Sequence, residues 1–188
     1  VGAGSLAQVP LDALKAIAGY ARAQRMRLHA HGAVTAAETQ ACAAEYGRSE
    51  VALLAEHGIV DKRFTLVDAL QLSDDDVKLL GAARAMTAVG PSSAAQLGLG
   101  APPVGKLLAA GAGVALGTDR EVQSSLLEEA RLLEYQLRFA REPRPSAAGD
   151  AATVLFHAAT VTGARSLGAT GGALEVGRPA DFFTVNLF

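Results

Sequence analysis

The chain has 188 residues, 17 Lys and Arg against 19 Asp and Glu, a net charge of −2 and one cysteine. That length suits one domain, and a near-neutral balance with no basic block argues against nucleic acid as the partner. Half of the residues are hydrophobic but only 5% are aromatic, so small side chains, alanine above all, must fill the core.

The lone Cys42 has no internal disulfide partner, which points to a reducing, cytoplasmic setting. No charged leader followed by an apolar run opens the sequence, and no apolar run is long enough to span a bilayer, so no membrane role is expected.

Residues 11–24 carry Leu11, Leu14, Ile17, Ala18 and Ala21 at helical spacing, and a short strand follows over 26–31. Thr35 and Glu38 have the form of a capping box opening a helix that runs to Tyr46 and stops at Gly47. A further helix is expected over 51–57, a buried strand over 64–69, and a capped helix start at Ser73 with acidic residues behind it. A strand at 85–89 leads into a loop over 90–103, then a helix at 104–110 and a strand at 113–117. The longest helix is expected over 124–141, with Leu126, Ala130, Leu133 and Leu137 inward and Glu134/Arg138 paired outside. Residues 142–149 read as a linker, Asp150 caps one last helix over 151–167, and 172–188 read as two short strands joined around 177–180.

Alternating strands and helices imply a parallel sheet covered by helices. In such folds the working residues sit at the C-terminal ends of the strands. His29, His31, Asp68, Ser92, Ser93 and Asp119 fall at these places. Strand alternation puts His29 and His31 on one face. His31, Asp68 and Asp119 are 37 and 51 residues apart, intervals that let them ring the mouth of one sheet. His and Asp donors suit zinc or iron, and a bound ion would generate hydroxide at neutral pH for attack on a carbonyl or amidine carbon. Histidines hydrogen-bonded within a strand remain the alternative for a lone His-x-His. His57 near a helix end, His157 in mid-helix and Cys42 need no ligand role.

The strings LHAHGAVTAAET, LVDALQLSDDDVKLL, GPSSAAQLGLGAPPVGKLLAAGAGVALGTD and GALEVGRPADFFTVNL resemble the amidohydrolase superfamily, in its metal-dependent deaminase branch. LEEARLLEYQLRFAR and the opening VGAGSLAQVPLDAL are most similar to formimidoylglutamate deiminase. The resemblance implies a partial (β/α)8 barrel of about strands four to eight over residues 1–171, with the C-terminal strands of a small β-sandwich over 172–188. It also implies that His31 stands at the fifth-strand metal histidine. Asp119 falls on the eighth-strand aspartate, which binds metal and moves protons. Ser92, Ser93 and His29 would contact substrate.

Other positions depart from the family pattern. Val34 stands where a proton-donating glutamate is expected, and Asp68 where the sixth-strand histidine is expected, at a possible metal position. Gln71, Ala94 and Gly4 replace further polar positions, and the first-strand His-x-His has no counterpart. A complete barrel takes about 250 residues. The expectation is therefore a degenerate amidohydrolase-like chain, non-catalytic by itself and a structural or partner subunit. It would self-associate or pair with a second polypeptide that completes the barrel. The alternative is a metal-dependent hydrolase of an amidine, imino or ureido substrate, with its missing ligands supplied from an N-terminal half or a partner chain.

Overall fold

Five short strands, each returned by helical segments to the same direction, make one parallel sheet. The computed structural model describes residues 1–120, 124–140, 150–184 and 186. The strands lie in chain order: β1 (Gly2–Ala3), β2 (Leu28–Gly32), β3 (Phe64–Asp68), β4 (Met86–Val89) and β5 (Gly113–Leu116). Leu28 pairs with Phe64 and Gly32 with Asp68, so β2 and β3 end level with each other. Val89 pairs with Leu116 on the far side. β1 is too short for an alternating pattern to reveal it.

Side-chain alternation divides the sheet into two faces. Leu28, Ala30, Phe64, Leu66, Val89, Val114 and Leu116 belong to the main core. They share it with Leu14 and Ala18 of α1 (Leu11–Ala23), Val51 and Leu54 of α3 (Glu50–Glu56), and Val77 and Leu80 of α4 (Asp74–Ala82). Leu107 of α6 (Val104–Ala110) and Leu133 and Leu137 of α7 (Leu126–Phe139) join this layer, as do Leu155 and Ala158 further along the chain. The opposite face carries His29, His31, Thr65, Val67, Met86 and Ala88, by register.

Capping follows the sequence signals in most places. Ser73 and Asp76 form a complete capping box at α4, and Thr35 accepts from the Glu38 N–H at the start of α2 (Ala36–Tyr46). The reciprocal arm from Glu38 is not made among the described residues, and its Oε2 is buried with no partner there.

Four expectations need correction. The span 90–103 is not all loop: α5 (Pro91–Gln96) forms there, with Pro91 at its first position, where a missing N–H costs nothing. The helix expected over 151–167 is two, α8 (Ala151–Ala159) and α9 (Val161–Leu167), broken at Thr160 with φ −122° and ψ −89°. Leu126, placed on the inward stripe of α7, is exposed, as is Leu127 beside it, and burial of this helix begins at Glu129 and Ala130. The two strands expected over 172–188 do not form among the described residues, and Leu174, Val176, Phe182 and Phe183 are exposed there. A strand needs a neighbour for its N–H and C=O groups, and the backbone bond from Arg178 N–H to Glu175 O in this stretch is a local turn bond. The linker expected at 142–149 lies outside the described residues.

The break at Thr160 turns α9 onto the sheet's second face. It packs against β4 and β5, and Arg165 lies over Gly113. The Ser166 carbonyl reaches across to His29 of β2, 2.9 Å from Nε2. The start of the strands is thereby covered, and their C-terminal ends are left to polar residues.

Candidate functional site

At those ends the backbone leaves its ordinary range. Ala33, Asp68, Ala69 and Asp119 all have positive φ, between 45° and 76°. Such values cost free energy in residues other than glycine and collect at functional sites. Two of the strand ends hold each other in place: Leu70 and Gln71, after β3, donate backbone N–H bonds to the carbonyl of Ala33, after β2, at 3.0 and 2.7 Å.

The ends are also held from behind by Glu50 at the first turn of α3. Its carboxylate accepts from Leu6 N–H and from Ala33 N–H, both at 2.9 Å. Burial pushes this carboxyl above its ordinary value, while the two backbone bonds pull it back. Glu129 of α7 does the same under the loop after β4: it accepts from Ser92 N–H at 2.9 Å and from the Ser92 hydroxyl. Sequence reasoning assigned nothing to either residue. An acid in the first turn of a helix is an ordinary capping feature, and only burial (Glu129 is 2% exposed) distinguishes these two.

The six expected site residues divide as follows. His31 and Asp68 come together, with Nδ1 and Oδ2 at 2.8 Å. Asp119 stands over Gly90 at the end of β4, and Arg120 is 3.7 Å from its carboxylate. His29 shares the face of His31, as expected, but its Nε2 is engaged by Ser166 O. The Ser92 hydroxyl is bound to Glu129. The Ser93 hydroxyl donates to Thr118 O at 3.1 Å and accepts from Arg120 N–H at 3.0 Å. Ser93 therefore fixes the turn that carries Asp119.

A cavity of about 340 Å3 opens beside His31, lined by Gln8, Val34, Thr35, Glu38, Leu97, Leu99 and Arg120 as well. It places a carboxylate, a guanidinium and an imidazole around one small space. A larger hollow, of about 950 Å3, lies between α7 and α8, away from the strand ends.

Zinc or iron would require at least three donors in one place. Among the described residues no group of three or more His, Cys, Asp or Glu side chains is arranged to hold an ion. One side of the His31 ring is spent on Asp68, and Arg120 sets a positive charge beside Asp119. These residues do not by themselves fit a metal. Cys42 offers no alternative: it is buried, its thiol is pushed up to about 11 chiefly by burial, and it donates weakly to Arg48 O at 3.6 Å.

A parallel strand-and-helix sheet with histidine and aspartates at its strand ends defines the class: an α/β protein of the kind that carries its chemistry at that rim. The chain belongs to the amidohydrolase family, whose model matches residues 3–187. It is 34% identical over 160 residues to a 5-methylthioadenosine/S-adenosylhomocysteine deaminase of Desulforudis audaxviator, covering 82% of this chain and 36% of that protein. To a formimidoylglutamate deiminase of Pseudomonas aeruginosa it is 33% identical over 163 residues, covering 85% and 36%. The crystal structure of an adenosine deaminase from Xanthomonas campestris with bound zinc superposes with a TM-score of 0.86 at 26% identity, over 96% of this chain and 42% of that one. An amidohydrolase from Brucella melitensis gives 0.86 at 30% identity. The chain thus spans about two fifths of the length of these relatives. No helix among the described residues is long and apolar enough to cross a membrane.

Proposed function

We propose that these 188 residues form the part of an amidohydrolase barrel from about strand four to strand eight, non-catalytic by itself. In this reading it acts as a structural or partner segment, associating with itself or with a second polypeptide that completes the barrel. The observation that carries the reading is the donor placement: His31 and Asp68 are committed to each other, and no third donor joins them among the described residues. Two features support the partner role. Among the described residues the sheet has β1 and β5 as its edges, and such edges invite pairing. Leu174, Val176, Phe182 and Phe183 present apolar side chains to solvent along residues 172–188, which would close a second β-layer only against added strands.

The second reading is a hydrolase of C–N bonds in an amidine, imino or ureido compound, with further ligands from outside this sequence. The deaminase names of the relatives and the zinc in the Xanthomonas structure favour it. Light scattering and elemental analysis of the purified chain separate the two. Oligomers without stoichiometric metal are expected. Near-stoichiometric zinc or iron that is lost in His31→Ala or Asp119→Ala would establish the second reading instead, and a well-behaved monomer would remove the partner role.

A further inference from the structure

We propose that Asp68 is a positioning residue, which sets His31 as the Nδ1–H tautomer and leaves Nε2 as a lone-pair acceptor for a protic ligand in the adjoining cavity. An ionised carboxylate only accepts hydrogen bonds. At 2.8 Å from Asp68 Oδ2, His31 Nδ1 must therefore carry the proton. A neutral imidazole has one protonated and one unprotonated nitrogen, so the lone pair falls on Nε2. That atom has no hydrogen-bond partner among the described residues, and the ring lines the cavity of about 340 Å3.

The contact is held in place by its surroundings. Asp68 is only 12% exposed, and its backbone is held at φ +76° next to Ala69 at +52°. The neighbouring β2 end is fixed by Glu50 through Ala33. The other polar groups near the ring do not compete for Nδ1. His29, two residues earlier on the same face, is bound to Ser166 O, and Glu38 and Arg120 line the cavity rather than the β2–β3 seam. They would instead offer a ligand one acceptor and one cation beside the Nε2 lone pair. Asp68 is in this arrangement a partner of histidine and not a donor to a shared ion. The inference extends the reading above to how one side chain of the site is set. It is read without turnover and without metal, so the failure of either leaves the other standing.

The test is a two-bond 1H–15N correlation spectrum of the full 15N-labelled chain at pH 8, which resolves the ring nitrogens of its 4 histidines. His31 is assigned by the resonance lost in His31→Gln. The wild type is expected to show His31 with Nδ1 protonated and Nε2 bare. Asp68→Gly removes the carboxylate while tolerating the positive φ, and is expected to shift the proton to Nε2, the nitrogen that an unpartnered imidazole prefers to protonate. A wild-type His31 protonated on Nε2, or an Asp68→Gly spectrum with the tautomer unchanged, would overturn the proposal. The wild-type spectrum decides the tautomer even if the variant does not fold.

Discussion

Glu50 Oε2 stands 2.9 Å from the backbone nitrogen of Ala33, and that single bond ties a helix start to the strand end that bears His31. Its other oxygen takes the Leu6 N–H at the same distance. Glu50→Gln keeps the shape but turns an NH2 group towards one of the two N–H donors. A buried donor left unsatisfied costs about 1–3 kcal/mol. The variant is expected to lose that much stability, read as a lower denaturant midpoint with an unchanged slope.

The same carboxylate gives a pH signature. Its folded value lies above the ordinary 4.5 because burial outweighs the two backbone bonds. A carboxyl raised in the folded state binds its proton more tightly there than in the unfolded chain. Its favourable contribution is complete below the unfolded value and is lost as pH rises through the folded one. Urea midpoints measured from pH 4.5 upward should therefore fall more in the wild type than in Glu50→Gln over that window. Parallel curves would show that the two N–H bonds cancel the burial.

Glu129 and Ser92 make a second, independent tie, between α7 and the first turn of α5. Glu129→Ala strips the half-buried Ser92 N–H and hydroxyl of their acceptor. The expected loss is about 1–3 kcal/mol for the unsatisfied donor. Hydrogen exchange should localise it, with the α5 amides exposed earlier than those of α1.

His29 joins β2 to α9, and its loss tests whether that helix is held across the sheet. His29→Ala removes the acceptor's partner at Ser166 O, worth about 1 kcal/mol. Amides of α9 should exchange faster while those of α4, on the other face, stay protected. Uniform loss over both would mean that α9 is held by packing on β4 and β5 alone.

What was legible in the sequence is what local chemistry decides. The caps at Thr35, Ser73 and Asp150, the stop at Gly47 and the apolar period of α1 each announce an element, and each element is present. His31 and Asp68 were legible as neighbours because parallel strands place their C-terminal ends side by side. Their commitment to each other was not, since Asp68 lies one residue past Val67, the register partner of His31, and reaches it from a backbone held at φ +76°. Glu50 and Glu129 were hidden for a related reason: an acid at a helix start looks the same whether it faces water or a buried backbone. The strands expected over 172–188 do not form among the described residues, where a local preference for extended backbone has no neighbouring strand to pair with.

Two glycines on helices separate packing from propensity. Gly81, on α4, has no room for a side chain: a Cβ there would lie 2.2 Å from the Ala110 carbonyl oxygen of α6, a backbone atom that cannot swing aside. Gly81→Ala must push α4 and α6 apart, and overpacking of this kind costs about 1–3 kcal/mol. Gly19, in α1, has nothing within 4 Å of the same position and is exposed. Gly19→Ala should therefore gain about 0.5–1 kcal/mol from reduced freedom of the unfolded chain and better helix propensity. Thermal unfolding of the two variants should move in opposite directions. If both rise, the close approach of α4 to α6 is not a feature of the folded chain.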